Sequence, residues 1–367
     1  MRSLSLGVFC GLVFLSLSAQ ARVKAETIYR VYDDGETRVE SPKLDVSSKF
    51  MQDRATVRVG YAADIVTSSS SDVKSYGTRD KISDYRKEYD GTFSMELQDG
   101  SVGWTFINST ENDYRSNTIA FAGSRDFFEK NTTLFMSFAF GEDRIGRSTD
   151  KIDEYKAMTN QTYSLGLTQV FSKKSVGQLL YDFRVENGYM ASPYRRARQK
   201  NADGTLRLLP ENHPLTRNRN SIALKYNQYL DGPAISLAST LRTYFDSWGV
   251  LSGTLEERVG RRFGDRFDLA LNLRFYYQKE ASFYQDKYDD LGAFYTGNKT
   301  LANYTSLLVG IRPTYLILER LSAFAKAEYY TIDYKNHTNI GVASNLNDDK
   351  MLQVKAMVYG LGIEGEF

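Results

Sequence analysis

Residues 266–278 sort into two faces, with Phe267, Leu269, Leu271, Leu273, Phe275 and Tyr277 at one parity and Asp268, Ala270, Asn272, Arg274, Tyr276 and Gln278 at the other. Successive side chains of a strand point to opposite sides, so such a run reads as a strand with one apolar face. Residues 132–140 divide in the same way, with Leu134, Met136, Phe138 and Phe140 against Thr133, Ser137 and Ala139. So do residues 176–186, where Leu179, Tyr181, Phe183 and Val185 oppose Gln178, Asp182, Arg184 and Glu186.

The alternation predicts strands over 56–66, 89–97, 102–108, 117–124, 132–140, 161–171, 176–186, 220–229, 234–246, 250–259, 266–278, 304–315, 321–333 and a closing run that ends on Phe367. Their connections have a rhythm of their own. Tight turns at 98–100, 128–131, 172–175, 230–233, 264–265 and 317–320 alternate with longer loops, among them 67–85, 141–160, 187–219, 279–303 and 334–350, and with a tight corner at 247–249. Outer-membrane barrels pair short periplasmic turns with long external loops in this way. Upstream, 27–32 and 37–47 around the turn Asp33-Asp34-Gly35 form one more hairpin, within 26–48, although Pro42 lacks the N–H that a ladder needs. The expected fold is therefore all-β: a transmembrane antiparallel up-and-down barrel of sixteen strands, or fourteen if that hairpin stays out.

Charge placement sets which face meets lipid. A basic side chain facing hydrocarbon at mid-depth costs roughly 2–4 kcal/mol, so the apolar parity points outward and the charged parity encloses water. A soluble β-sandwich also alternates, but its connections do not sort by parity and its inner face does not abut charged side chains. The inward parity carries Arg58, Asp64, Glu96, Arg184, Glu186, Arg242, Arg258, Asp268, Arg274, Lys326, Glu328 and Glu364, the candidate lumen lining. Tyr61, Trp104, Tyr163, Tyr181, Trp248, Tyr277 and Tyr359 stand near strand ends, where aromatic girdles form.

Composition agrees. The chain of 367 residues is 13% aromatic with a mean hydropathy of -0.45, too polar for a helical bundle, and its net charge of +2 offers no field for nucleic acid. Residues 1–21 read as a signal peptide: Arg2, an apolar stretch from Leu4 to Leu17, then Ala19-Gln20-Ala21 before Arg22. The mature barrel would span 22–367, without thiols, since Cys10 lies in the signal. The expected location is the bacterial outer membrane, reached through the periplasm.

The phrases "ETRVESPKLDV", "VGYAADIVTSSSSDV", "STENDYRS", "NGYMASPYRRAR", "ENHPLTRNRNSIALKYNQYL", "LRTYFDSWGV" and "LRFYYQKEASFY" resemble the outer-membrane family labelled domain of unknown function 3570. The resemblance runs in order from about Glu36 to the C-terminus and implies a fold and a location, with no activity attached. After the first Asp-containing strand, family members tend to read Ser-Gly-Ala-Ser. Here Asp64-Ile65-Val66 runs into the plain serine tract 68–71.

Candidate chemistry is sparse. His213 and His337 fall in expected outer loops with no nucleophile or acid spaced to join them, and no motif calls for a metal or other cofactor, so no enzyme is expected. The longest loop is strongly basic through Arg195, Arg196, Arg198, Arg217 and Arg219, a pattern suited to an anion-selective constriction or to lipopolysaccharide phosphates. The closing face Tyr359, Leu361, Ile363 and Phe367 resembles the signal read by barrel-assembly machinery. Expected partners are thus outer-membrane lipid and lipopolysaccharide, that machinery, and a periplasmic or surface protein if the barrel is an accessory scaffold. The favoured role is a porin-like conduit for small hydrophilic solutes. An anchoring barrel comes second and a lipid-modifying enzyme third.

Overall fold

The computed structural model describes residues 22–68, 82–338 and 350–367. Residues 1–21, where a signal peptide is expected, residues 69–81 with most of the serine tract, and residues 339–349 lie outside the described residues. The first nine strands are β1 (Arg22–Asp33), β2 (Thr37–Phe50), β3 (Ala55–Ser68), β4 (Ile82–Leu97), β5 (Gly100–Thr110), β6 (Tyr114–Phe127), β7 (Thr132–Ile145), β8 (Lys156–Ser172) and β9 (Ser175–Gly188). A short hairpin follows, β10 (Arg196–Lys200) with β11 (Leu206–Pro210). The rest are β12 (Thr216–Leu230), β13 (Ile235–Asp246), β14 (Leu251–Phe263), β15 (Phe267–Lys279), β16 (Tyr304–Leu318), β17 (Leu321–Thr338) and β18 (Met351–Glu366).

All but β10 and β11 pair antiparallel with their chain neighbours, β9 with β12 across the hairpin, and β1 pairs β18 to close a sixteen-strand barrel. The seam runs from Lys24 opposite Glu366 to Asp33 opposite Met357, and Val23 and Phe367 exchange backbone hydrogen bonds of 2.9 and 2.8 Å beyond it. Closure satisfies the edge groups that lipid cannot. The 26–48 hairpin is therefore part of the wall. Pro42 is accommodated because the β2–β3 ladder is interrupted between Glu40–Ile65 and Lys43–Ala62, while Pro42 still lies opposite Tyr29 of β1. In β16, Pro313 likewise lies opposite Leu269 at a gap in the β16–β17 ladder.

Connections sort by end. At the end holding both seam termini they are 51–54, 98–99, 128–131, 173–174, 231–234, 264–266 and 319–320; at the other they include 146–155, 189–215, 280–303 and 339–350. Two of the tight turns are left-handed without glycine: φ is 55, 58 and 65° at Met51, Gln52 and Asp53, and 52, 56 and 67° at Phe128, Glu129 and Lys130. Cβ crowding penalises that region by about 1–2 kcal/mol per residue. Glu129→Gly is therefore expected to stabilise the barrel by about 0.5–1 kcal/mol, the relief being offset in part by glycine's larger unfolded entropy. Urea-dependent folding into lipid vesicles checks it.

The outward parity is a belt of exposed apolar side chains, including Trp104, Phe121, Met136, Leu165, Leu224, Leu273 and Leu361. An apolar surface this continuous marks a lipid contact. A carboxylate interrupts it at mid-strand. Glu257 lies in the middle of β14, opposite Leu273 of β15, and takes a 2.6 Å hydrogen bond from the Ser239 hydroxyl of β13.

Several strands run beyond the belt at the loop end, and this corrects the predicted boundaries. β12 begins at Thr216, so Arg217 and Arg219 stand on the wall and not in the loop; β17 runs to Thr338 and carries His337. The longest connection also holds the β10–β11 hairpin. Trp248 belongs to no girdle: only 4% of it is exposed, because it packs inside the mouth.

Candidate functional site

At the loop end, connections 189–215 and 280–303 fold over the β12–β18 side of the mouth. Their aromatic and aliphatic residues form an apolar core with the inward-facing tops of the strands: Trp248, Val250, Ala281, Tyr284, Leu301, Ala302, Tyr334 and Leu352 are buried together, with Met190, Tyr244, Phe283 and Tyr304 packed on them. This is the structure of a cap. Backbone bonds knit the two loops, Lys200 N–H to the Tyr288 carbonyl at 2.8 Å and the Asn212–Tyr295 pair at 3.0 and 2.9 Å. Glu211 accepts from Thr296 Oγ1 at 2.7 Å and Gly297 N at 2.9 Å.

Polar latches fix the cap to the wall. Gln278 of β15 donates its amide to the Thr300 and Ala302 carbonyls at 2.8 and 2.9 Å. The Arg198 guanidinium, 3% exposed, pairs with Asp286, which also accepts from Thr338 N at 3.0 Å and Thr338 Oγ1 at 2.5 Å. Asp246 holds the 247–249 corner: Oδ1 accepts from Trp248 N and Val250 N, while Oδ2 accepts from Tyr244 and, at 2.8 and 2.5 Å, from Arg217. The same guanidinium lies 4.2 Å over the Trp248 ring, whose indole N–H reaches the Thr216 carbonyl at 2.9 Å.

Both histidines are buried in this assembly and not on loop surfaces. His337 bonds Tyr284 at 2.6 Å. His213 bonds the Met190 carbonyl at 3.2 Å through Nδ1, and burial, the leading influence, moves its pKa below the ordinary value. Its Nε2 has no hydrogen-bond partner and stands 3.7 Å from Glu211.

Ladder register places the candidate lumen residues on the inward parity, and ion pairs link many of them. Arg58 sits between Asp45 and Asp90, 2.7 Å from the latter; Arg86 lies 3.8 Å from Asp64; Lys326 meets Glu328 at 2.8 Å; Asp268 meets Arg262 at 2.8 Å; Glu364 pairs with Lys24. Glu96 and Arg258 point the same way, opposite Ser101 and Asn272. Charge is unevenly spread across the barrel. Arg184, Arg217, Arg219, Arg242, Arg258, Arg274 and Arg312 outnumber Glu186, Glu256 and Asp268 on β9 to β16, whereas Asp45, Asp64, Asp84, Glu88, Asp90 and Glu111 outnumber Arg58 and Arg86 on β2 to β5 and the turn after it.

Under the cap lies a cavity of about 510 Å³ whose lining includes Arg217, Arg219, Arg242, Arg274, Glu186 and His213. Glu186 bridges two arginines, 3.1 Å from Arg184 and 2.7 Å from Arg219, which stand directly opposite each other. Of the basic-loop candidates, then, Arg217 and Arg219 line the lumen and Arg198 latches the cap. Arg196 bonds the Pro193 and Arg195 carbonyls, while Arg195 donates its backbone N–H to Ser192. The closing residues Tyr359, Leu361, Ile363 and Phe367 are exposed on the lipid side of the seam.

Asp84, Glu111 and Asp113 bring carboxylate oxygens within 4.8 Å of one another at the rim. Sequence reading missed this group because Glu111 and Asp113 look like an ordinary turn. Burial, then Asp84 and Asp113, push Glu111 up to about 7, against the pull of Arg86 3.7 Å away. Between the ordinary value of 4.5 and about 7 the folded rim holds a proton that the unfolded chain has released, so rim stability is expected to fall as pH rises through that window. Glu111→Gln should flatten the dependence, as measured by amide exchange of residues 111–114 between pH 5 and 8.

Sixteen strands, end-sorted connections, an apolar outer belt and a charged interior define an outer-membrane-type β-barrel. Solved structures share the fold: a bacterial polysaccharide outer membrane secretin (TM-score 0.52, 7% identity, 93% of this chain and 97% of that one) and CdiB from Acinetobacter baumannii (0.52, 7%, 94% and 60%). The siderophore receptor PirA from Pseudomonas aeruginosa aligns at a TM-score of 0.43 with 11% identity, over 95% of this chain and 80% of that one. No curated protein matches. The family model for the protein of unknown function DUF3570 matches residues 75–163 and 147–352, and the chain belongs to that family.

Proposed function

We propose that the protein sits in the outer membrane as a gated conduit for small hydrophilic solutes, with the two-loop cap as its gate. The supporting observation is the pairing of a charged, water-accessible lumen with a cap built from loops. A barrel of this strand number encloses an aqueous path unless side chains or loops fill it. Here the loops cover one side of the mouth and are held by a few polar latches. Transverse asymmetry of charge orients a dipolar solute as it passes, and the arginine wall favours anions.

Planar-bilayer recording tests the reading. Purified barrel should give small, flickering conductances with a preference for anions in the reversal potential. Silence at every voltage, both in the native barrel and in one whose cap latch is cut, would remove the conduit and leave an anchoring scaffold.

A further inference from the structure

We propose that the cavity beneath the cap is a binding site for a small hydroxylated organic acid, its carboxylate held by Arg242 and Arg274. The inference rests on the conduit reading, since its ligand is the class of solute the conduit admits. It starts from an imbalance of charge. Arg217 is matched by Asp246, and Arg184 and Arg219 share Glu186. No ion pair holds Arg242 or Arg274 among the described residues; the acid facing Arg274 across the ladder is Glu256, which leaves the five arginines with three carboxylates, Asp246, Glu186 and Glu256. Arg242 stands across from Ala223 and Thr254, and Arg274 lies 5.8 Å from the Tyr276 ring. Packing arginines together without enough carboxylates disfavours the empty site and favours an entering anion, and a guanidinium fork suits a carboxylate geometrically.

Polar groups of the wall extend the match. Arg219 Nε finds no acceptor, while Arg184 Nε stands 3.1 Å from Glu186 Oε1. His213 also lines the cavity, but its Nε2 is buried behind the wall, 3.7 Å from Glu211, while its Nδ1 bonds the Met190 carbonyl. The rest of the lining is polar, with Ser252, Thr254, Tyr276, Gln278, Asn298 and Thr300, so ligand hydroxyls find hydrogen-bond partners there and a bare alkyl chain does not. A volume of about 510 Å³ exceeds an inorganic ion's needs and lies within the range of organic-ligand pockets.

The test uses full-length barrel folded in detergent. Trp104 and Trp248 are its two tryptophans, so Trp104→Phe on the lipid face leaves Trp248, beside the cavity, as the reporter. Gluconate is titrated against hexanoate, which has the carboxylate and chain length without the hydroxyls, with calorimetry as a second readout. Saturable gluconate binding is expected, weakened at least tenfold by Arg242→Ala or Arg274→Ala and at least tenfold tighter than hexanoate. Heat-modified gel mobility verifies that each variant is folded. No saturable binding, or equal binding in the folded alanine variants, overturns the site; equal affinity for hexanoate overturns the ligand class. Binding in detergent needs no current, so a silent barrel that binds gluconate sinks the conduit alone, and a conducting barrel that does not bind it sinks the site alone.

Discussion

Asp286→Ala is expected to raise the barrel's conductance severalfold while leaving the wall folded. Asp286 is the anchor on which the Arg198 guanidinium and both Thr338 donors converge, and it joins the 189–215 loop to the 280–303 loop and to the end of β17. Removing it strands a guanidinium that is only 3% exposed. Breaking one side of a buried ion pair costs about 3–5 kcal/mol, and the nearest relief is for the loop to swing out and hydrate Arg198. The β12–β18 ladders do not depend on this contact, so gel mobility should stay that of a folded barrel. Replacing both partners, Arg198→Met with Asp286→Leu, should restore the closed conductance, because an apolar pair of similar volume leaves no charge stranded. Conductance unchanged in the single variant would mean that the cap does not gate the lumen.

Glu257→Leu should stabilise the barrel by about 1–2 kcal/mol, less than the figure for a lipid-facing basic residue at mid-depth and of the same origin. Its carboxyl lies among Leu255, Val259 and Leu273 with Ser239 as its hydrogen-bond partner. The substitution removes that desolvated group and leaves Ser239 to bond locally. Equilibrium unfolding in vesicles of defined thickness measures the gain. Thicker bilayers should enlarge it, since hydrocarbon then reaches further on both sides of the residue.

The strands between the girdles were readable because lipid and water demand opposite side chains at alternate positions, as in Phe267–Lys279, where register and face both follow from parity. Above the membrane that contrast fades. In Thr216-Arg217-Asn218-Arg219-Asn220 both faces are polar, so the start of β12 and its two arginines read as loop. The end of β17, Tyr334-Lys335-Asn336-His337-Thr338, is obscured for the same reason. The cap was illegible for a different one. Its contacts join residues far apart in sequence, Arg198 with Asp286 and with Thr338, and nothing local distinguishes Trp248 inside a mouth from a tryptophan at an interface. Inward charges were recoverable by counting, but which arginines lack a partner depends on cross-strand geometry.

Closing the mouth must be a late event in the protein's biogenesis. Arg198 lies 88 residues before Asp286 and 140 before Thr338, and the arc from β9 to β17 stands between them. Until that arc is threaded into the sheet, the acid and the threonine are not positioned to receive the guanidinium. The latch can therefore set only after that stretch of wall is in place, whatever the state of the seam between the first and last strands.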